Sequence, residues 1–369
     1  MFYYLFDYID KVFALPGFGI FKYLTFRSSI AAITALILAF FIGPKVINYL
    51  RKKQIGETIR EVGPQSHLKK AGTPTMGGII ILISIVIPVL LWSDLQSSYI
   101  LLALFGTIFL GFVGFVDDYL KVVKKYSQGL IARYKLLGQV LVGLILGISI
   151  YLMPEFSEYT TQTTLPFFKN MNWDFSYLYI PAVIFIITAT SNAVNLTDGL
   201  DGLAMGTITF VMLALAVMSY VSGNIIWSDY LNIIYLPGSG ELTVFIAAMI
   251  GAGLGFLWFN FYPAQIFMGD TGSLALGGAF GIIAILIKKE LLIPILGGVF
   301  FIETLSVIIQ RVYFKYSKKK FGVGKRAFKM APIHHHYEIM GWAEPKIVVR
   351  FYIVTIILVI ISLASFKIR

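Results

Sequence analysis

The sequence contains no cysteine and few charged residues. Of its 369 residues, only 13% are charged and 58% are hydrophobic, whereas a soluble domain has about 25% charged residues. The absence of cysteine excludes disulfides and thiolate metal sites. Together with a mean hydropathy of +0.82, this composition predicts an all-α integral membrane protein, whose main solvent is the bilayer.

Ten apolar runs are candidates for transmembrane helices, which need about 20 mostly apolar residues each. No stretch between them is long enough for a separate soluble domain, so we expect residues 1–369 to form one polytopic domain, with residues 1–22 preceding the first span. The predicted spans are Tyr23–Leu50, Thr75–Trp92, Tyr99–Phe115, Leu136–Met153, Tyr179–Val194, Leu203–Val221, Leu242–Phe261, Ser273–Ile287, Leu291–Gln310 and Val348–Phe366.

Lysine and arginine are concentrated in alternate loops. They are abundant after the first, third and ninth spans, and the even-numbered loops hold few of them. Because basic loops stay in the cytoplasm, odd-numbered loops are predicted to be cytoplasmic and both termini periplasmic. This bias explains the net charge of +11, so nucleic acid is not a predicted partner.

The unusual acidic clusters all fall in odd-numbered loops, which predicts an active site on the cytoplasmic face. In "VDDYLK", Asp117 and Asp118 are adjacent. On a helix their side chains would point about 100° apart and meet different partners. They are either carboxylates that face Mg²⁺ or a phosphate, or a solvated helix end at which Asp117 pairs with Lys121.

Two further acidic motifs suggest ligand contact. In "NLTDGLDG", Asp198 and Asp201 would share a face if they lie on a helical turn, although a tight interhelical turn is the alternative. In "FMGDTGS", Asp270 is placed to bind Mg²⁺ beside phosphates, while Thr271 or Ser273 could cap the next helix.

Three adjacent histidines, His334–His336, lie in a basic segment. If that segment is extended, His334 and His336 point to the same side. Because the surroundings are basic, contact with a phosphate or leaving group is favoured over a structural metal site. In the ninth span, Glu303 is a buried acid with either a functional or a paired structural role.

A break within the ninth span and the start of the second span can also be predicted. Pro294 with Gly297 and Gly298 should bend or break the ninth span, and we expect a lipid groove beside Gly297. In "KKAGTPTMGG", Pro74 suits the first turn of the second span.

The motifs together resemble a known family, the phospho-N-acetylmuramoyl-pentapeptide transferases (MraY family) of the polyprenyl-phosphate N-acetylhexosamine-1-phosphate transferases. The resemblance runs from about Lys69 to the C-terminus, and the triple-histidine segment indicates the muramoyl branch. Its motifs are "AGTPTMGG", "VDDYLK", "ARYKLLGQ", "NAVNLTDGLDGLA", "FNFYPAQIFMGDTGSLALGG" and "APIHHHYE".

The resemblance implies transfer of phospho-MurNAc-pentapeptide from UDP-MurNAc-pentapeptide to undecaprenyl phosphate in the bacterial cytoplasmic (inner) membrane, with Mg²⁺ as cofactor. It also suggests a homodimer surrounded by membrane lipids. A sibling transferase that uses UDP-GlcNAc and, more distantly, a secondary transporter are the alternatives.

The same resemblance implies roles for individual residues. Asp270 would be the metal ligand, and Gly199, Leu200, Asp201 and Phe267 would form a uridine pocket. The implied catalytic residues are Asp117, Asp118, Asp270, Lys121, His334, His335 and His336. The other implied substrate-binding residues are Lys70, Thr75, Lys135, Asn195, Asp198 and Asn260.

Overall fold

The computed structural model describes residues 1–13, 17–53, 70, 72–126, 128–168 and 171–366. Within these ranges the chain is almost entirely helical. The first helices are α1 (Phe2–Phe13), α2 (Leu24–Lys52), α3 (Gly78–Trp92), α4 (Ser98–Val122), α5 (Ala132–Leu152), α6 (Tyr179–Thr197) and α7 (Leu203–Ser222). They are followed by α8 (Ile225–Leu231), α9 (Leu242–Asn260), α10 (Gly269–Leu286), α11 (Ile293–Leu296), α12 (Gly298–Phe321), α13 (Ile333–Ile339) and α14 (Glu344–Ala364).

Each predicted span coincides with a helix or a pair of helices. Among the described residues, 8 helices are long and apolar enough to cross a membrane, and α11 with α12 raises the number to 9 if that bent pair is one span. Helix α3 is also apolar but has only 15 residues. The all-α membrane architecture is therefore confirmed.

The predicted break in the ninth span is confirmed. Helix α12 departs from the preceding helical segment, Glu290–Leu296, at 79°. The lipid groove predicted along the bent ninth span stays a prediction. Gly297 itself is buried, and a Cβ atom there would lie 2.7 Å from the ring of Phe280. This glycine permits close packing at the break.

Close helix packing explains the glycine spacing in α9 and α10. A Cβ atom on Gly251 would lie 2.1 Å from the carbonyl oxygen of Ala32 in α2, and one on Gly277 would lie 2.7 Å from that of Thr190 in α6. The backbones of these helices approach closely only because no side chain separates them.

The bundle has two polar ends of different composition. At one end meet the loops that follow α2, α4, α6, α9 and α12, as the ion pair of Lys70 with Asp201 shows. At the other end, the short strands β1 (Gln162–Thr164) and β2 (Asn172–Asp174) form an antiparallel hairpin. Thr163 of this hairpin donates a hydrogen bond to Glu290.

Candidate active site

Three carboxylates meet where α4 ends and α10 begins. One oxygen atom from each of Asp117, Asp118 and Asp270 lies within 4.8 Å of the others. Of the residues that the structure describes, these are the only three acidic or histidine side chains close enough to share a metal ion. The expectation that adjacent Asp117 and Asp118 have different partners is confirmed, because Asp117 pairs with lysines and Asp118 binds the backbone of α10.

Asp118 caps helix α10 from a neighbouring helix. Its carboxylate accepts hydrogen bonds from the backbone N–H groups of Asp270 (3.0 Å) and Thr271 (2.9 Å) and from the Thr271 hydroxyl (2.6 Å). The first N–H groups of a helix have no partner within it and attract negative charge. The predicted capping by Thr271 or Ser273 is therefore wrong, since neither side chain caps α10.

Gly269 makes this close contact possible. It has a φ of +73°, and a Cβ atom there would lie 2.7 Å from a carboxylate oxygen of Asp118. Any larger residue would be strained in its backbone and would push Asp118 away from the start of α10.

Two lysines and one asparagine surround the other carboxylates. Lys135 Nζ lies 2.5 Å from Asp270 Oδ2 and 3.3 Å from Asp117 Oδ2. Lys121 Nζ lies 3.1 Å from Asp270 Oδ2 and also pairs with Asp117, as the helical spacing predicted. Asn195 donates a hydrogen bond of 2.7 Å to Asp270 Oδ1. Asp270 is thus bound by groups from three other positions in the sequence.

The three carboxylates differ in their freedom to bind a ligand. The side chain of Asp270 is 16% exposed, whereas that of Asp117 is 1% exposed. Both oxygens of Asp118 already accept hydrogen bonds from α10. A cluster of carboxylate oxygens with no sulfur or nitrogen donor suits a hard cation such as Mg²⁺, which binds one or two carboxylates and completes its shell with substrate oxygens.

A second ion-pair cluster lies beside the first. Lys70 Nζ lies 2.6 Å from Asp201 Oδ1 and 2.6 Å from Glu344 Oε1. Burial alone would lower the pKa of Lys70, but the hydrogen bonds to both carboxylates outweigh burial and raise that pKa. Sequence reasoning missed Glu344, whose only signal was an acid at the start of an apolar run.

The loops before α3 and α10 pair through their backbones. Phe267 N–H donates to the Pro74 carbonyl (2.8 Å), and Gly77 N–H donates to the Phe267 carbonyl (2.9 Å). The prediction that Pro74 lies in the first helical turn is wrong, because α3 begins at Gly78. Thr75 lies buried within this paired segment.

The chain from Asp198 to Gly202 forms a turn. Helix α6 ends at Thr197 and α7 begins at Leu203, so Asp198 and Asp201 do not lie on a helical turn but in a tight interhelical turn. Contact of the two carboxylates with a ligand stays a prediction. The side chain of Asp201 accepts from the N–H of Ala264 (3.0 Å) as well as from Lys70.

Some of the predicted substrate-binding residues, Leu200 of the uridine pocket and Asn260 outside it, have internal partners. Leu200 is buried with Leu203, Ile347 and Val348 in a small apolar cluster. Asn260 accepts from the N–H of Gly202 at 3.1 Å and donates to the carbonyl of Ile266 at 2.9 Å. These contacts fix the loop conformation, and the sequence alone could not distinguish them from contacts to a ligand.

The histidine segment forms the short helix α13, so the extended arrangement considered for it is wrong. His334 is fully buried, and its Nδ1 lies 3.0 Å from Glu303 Oε2. Glu303 is therefore a paired acid, in agreement with the structural alternative. His335 pairs with Glu338 at 2.6 Å, and His336 accepts a hydrogen bond from the N–H of Lys329.

His334 also explains why residue 199 is glycine. A Cβ atom on Gly199 would lie 2.3 Å from His334 Nε2. The turn after α6 and the histidine helix therefore pack directly against each other, although about 135 residues separate them.

Comparisons with known proteins first define the class. A family model described as "Glycosyl transferase family 4" matches residues 100–288, which is about half of the chain. That range contains the three clustered carboxylates as well as Lys121, Lys135 and Asn195. A membrane glycosyl transferase is thus the class that fold and site define together.

Further matches narrow this class to one family. A signature described as "Phospho-N-acetylmuramoyl-pentapeptide-transferase signature 1" matches residues 70–82. Proteins with that name from Chloroherpeton thalassium and Pelodictyon phaeoclathratiforme are 52% and 53% identical over 100% of both chains. One from Flavobacterium psychrophilum is 48% identical, again over both full lengths. The chain belongs to the phospho-N-acetylmuramoyl-pentapeptide-transferase family.

Proposed function

We propose that this protein transfers phospho-MurNAc-pentapeptide from UDP-MurNAc-pentapeptide to undecaprenyl phosphate, giving lipid I and UMP in the first membrane step of peptidoglycan synthesis. The observation that carries the proposal is the meeting of Asp117, Asp118 and Asp270 with two lysines. Full-length relatives with the corresponding name support this substrate pair.

The bundle is proposed to cross the bacterial inner membrane ten times, with the active site on the cytoplasmic side. In support, the lysine-rich loops meet at the site end. At the other end, the N-terminal amine donates to the Leu90 carbonyl, and Phe366 lies under Lys289. Met1 and Phe366 therefore lie at the end opposite the site, which supports the proposed periplasmic placement of that end.

The main obstacle to the reaction is electrostatic. The acceptor is a phosphate monoester whose second pKa is near ~6, so at neutral pH it is largely a dianion and hardly needs a general base. It must approach a negatively charged pyrophosphate, and each pair of unit charges repels by ~4 kcal/mol at ~4 Å and an effective dielectric constant of ~20. Lys121 and Lys135 lie where they can reduce this repulsion.

Individual residues then have distinct roles. Asp270, the most exposed of the three carboxylates, is the proposed ligand of Mg²⁺, with Asp117 beside it. When bound, the cation neutralises phosphate charge and stabilises the departing UMP. Asp118 holds the start of α10, and Asn195 orients Asp270.

The geometry favours direct in-line displacement over a double displacement with an aspartate nucleophile. Asp118 accepts three hydrogen bonds and Asp117 is almost fully buried, which disfavours both as nucleophiles. Asp270, the third carboxylate, is proposed to hold the cation instead. A chiral phosphorothioate of the nucleotide substrate tests this assignment. Inversion at phosphorus is the expected outcome, and net retention would contradict the single step.

The remaining predicted residues are proposed to bind the substrates around this cluster. Lys70, Thr75, Asp198, Asn260 and Phe267 lie in the loops that adjoin the carboxylates. Gly199, Leu200 and Asp201 form the turn between α6 and α7, and His334, His335 and His336 form the helix packed against it. Glu303, the deepest acid, is paired with His334, so no observation favours a transporter.

The decisive assay measures UMP release by the purified protein in detergent. Release is expected with UDP-MurNAc-pentapeptide, undecaprenyl phosphate and Mg²⁺ together, and should stop when the lipid or the metal is omitted. Preferential turnover of UDP-GlcNAc would instead identify the sibling transferase. The homodimer implied by the family resemblance is tested by light scattering on the same sample.

A further inference from the structure

A second polar layer lies one helical turn beneath the catalytic cluster. Gln139, in α5, donates a hydrogen bond from Nε2 to Ser191 Oγ at 3.2 Å. Its Oε1 accepts a hydrogen bond of 2.9 Å from Asn192 Nδ2. Ser191 Oγ in turn donates to the carbonyl of Leu274 at 3.4 Å. This layer therefore connects α5, α6 and α10 through side chains.

The same three helices carry the layer above. Lys135 of α5 and Asn195 of α6 both bind Asp270 of α10. Gln139 follows Lys135 by four residues, and Leu274 follows Asp270 by four, so each pair lies on one face of its helix. The deeper layer thus links the same helices as the upper one, about 6 Å below it along the helices.

The hydrogen bonds of this deeper layer lie in buried surroundings. Gln139 is only 1% exposed, and hydrogen bonds in such low-dielectric surroundings are stronger than those in water. Gln139 is the one member contributed by α5, and it hydrogen-bonds two residues of α6. The position of α5 in turn sets where the ammonium group of Lys135 lies between Asp117 and Asp270.

We propose that Gln139 is a positioning residue for the transfer reaction, acting through Lys135. It contacts no predicted ligand and is not itself catalytic. The proposal rests on the proposed function for its kinetic consequence, but the placement of Lys135 is a property of the protein alone. The two can therefore be tested separately.

The test variant is Gln139→Leu, which replaces the amide by an apolar side chain one atom shorter and removes both hydrogen bonds. Its partners each keep another acceptor, because Ser191 still donates to Leu274 and Asn192 still donates to the carbonyl of Thr188. The variant should therefore fold. The matched control is Val142→Ala, a fully buried residue on the same helix whose truncation loosens packing without touching the polar layer.

Two measurements follow. For Gln139→Leu we expect kcat to fall about tenfold, because losing one net hydrogen bond at the transition state changes the rate by about that factor. We expect KM for the nucleotide substrate to stay nearly unchanged. Lys135 should also react several-fold faster in reductive methylation, read by peptide mass spectrometry without substrate. Val142→Ala should lower the thermal midpoint but leave kcat and Lys135 reactivity as in the wild type.

Other outcomes overturn the proposal. If Lys135 reactivity is unchanged in Gln139→Leu, or if Val142→Ala changes Lys135 to the same extent, Gln139 does not position that lysine. If kcat is unchanged while Lys135 becomes more reactive, its placement has no role in turnover. Absence of turnover by the wild type would contradict the proposed function, and the methylation result would still decide whether Gln139 places Lys135.

Discussion

The two ends of the bundle both contain buried charges, but they use them differently. At the site end, Lys121 is 37% exposed and Asp270 is 16% exposed, so solvent and ligands can reach them. At the opposite end, Arg27 is 3% exposed and paired with Glu241, and Lys288 is fully buried. Burial of a charged group is therefore a poor indicator of function by itself.

The two ends differ in the ratio of carboxylates to cations, because the buried cations of the opposite end are held by one carboxylate or by neutral oxygens. Arg27 donates hydrogen bonds to both carboxylate oxygens of Glu241 and to the carbonyl of Trp92. Lys288 donates to the Thr160 carbonyl (2.8 Å) and to the Tyr179 hydroxyl (2.7 Å). At the site end, three carboxylates share two lysines, which leaves negative charge for a cation to neutralise.

The largest expected effect is that of Asp270→Asn. Removing this carboxylate takes away the shared partner of Lys121 and Lys135, so turnover should fall by about 10³-fold, as for other preorganised electrostatic groups. The measurement is UMP release under saturating substrate. The matched control is Glu155→Gln, an acid at the opposite end that accepts from Ser98. Turnover within tenfold of the wild type would remove Asp270 from the catalytic set.

The reverse pattern is expected for Glu241→Gln. Arg27 would be left with an unpaired buried charge. Breaking a fully buried ion pair costs about 3–5 kcal/mol. Because Glu241 is 15% exposed, we expect the free energy of unfolding to fall by about 2 kcal/mol, below that range. The unfolding midpoint in detergent measures the loss, and kcat at a temperature well below that midpoint should stay unchanged. A large fall in kcat would show that the two ends are coupled.

Lys288 gives the opposite end a characteristic pH dependence. Burial lowers its pKa to about 8, although Glu290 acts in the other direction. Between that value and the ordinary lysine pKa near ~10.4, the unfolded chain holds the proton more tightly, so stability should rise with pH by roughly 1–2 kcal/mol from pH 8 to 9.5.

Unfolding midpoints across this range test the assignment. Lys288→Met should remove the increase, whereas Lys11→Met, at an exposed position of the same end, should preserve it. An increase of equal size in Lys288→Met would assign the titration to another group.

The smallest effect is expected for Gly199→Ala. The new methyl group would displace the His334 ring, and overpacking of this kind costs about 1 kcal/mol. We expect a small drop in thermal midpoint together with a fall of several-fold in kcat. Gly19→Ala is the control, because its Cβ would lie no closer than 3.8 Å to any neighbour. Equal behaviour of the two variants would show that the contact of residue 199 with His334 is unimportant.

Much of the architecture was predictable because it depends on local composition. The apolar runs coincide with helices, and Pro294 with Gly297 marked the break in the ninth span. The positions of Asp117, Asp118 and Asp270 could also be proposed in advance, because carboxylates are rare in such an apolar chain and stand out against it.

Contacts between distant segments could not be predicted in this way. Nothing near Asp118 indicates that it caps α10, and nothing near Glu303 indicates His334 as its partner. The same is true of Glu344 with Lys70. In each case the partner is chosen by how the helices pack, which involves residues far apart in the chain.

The sequence alone determined that this chain is a helical membrane protein with polar motifs on alternate loops, because hydropathy and charge act residue by residue. The tertiary structure decided which of those polar groups meet. It placed Asp270 between two lysines and assigned Asp118 to a helix terminus, since hydrogen bonds and ion pairs depend on distances that only the packed bundle fixes.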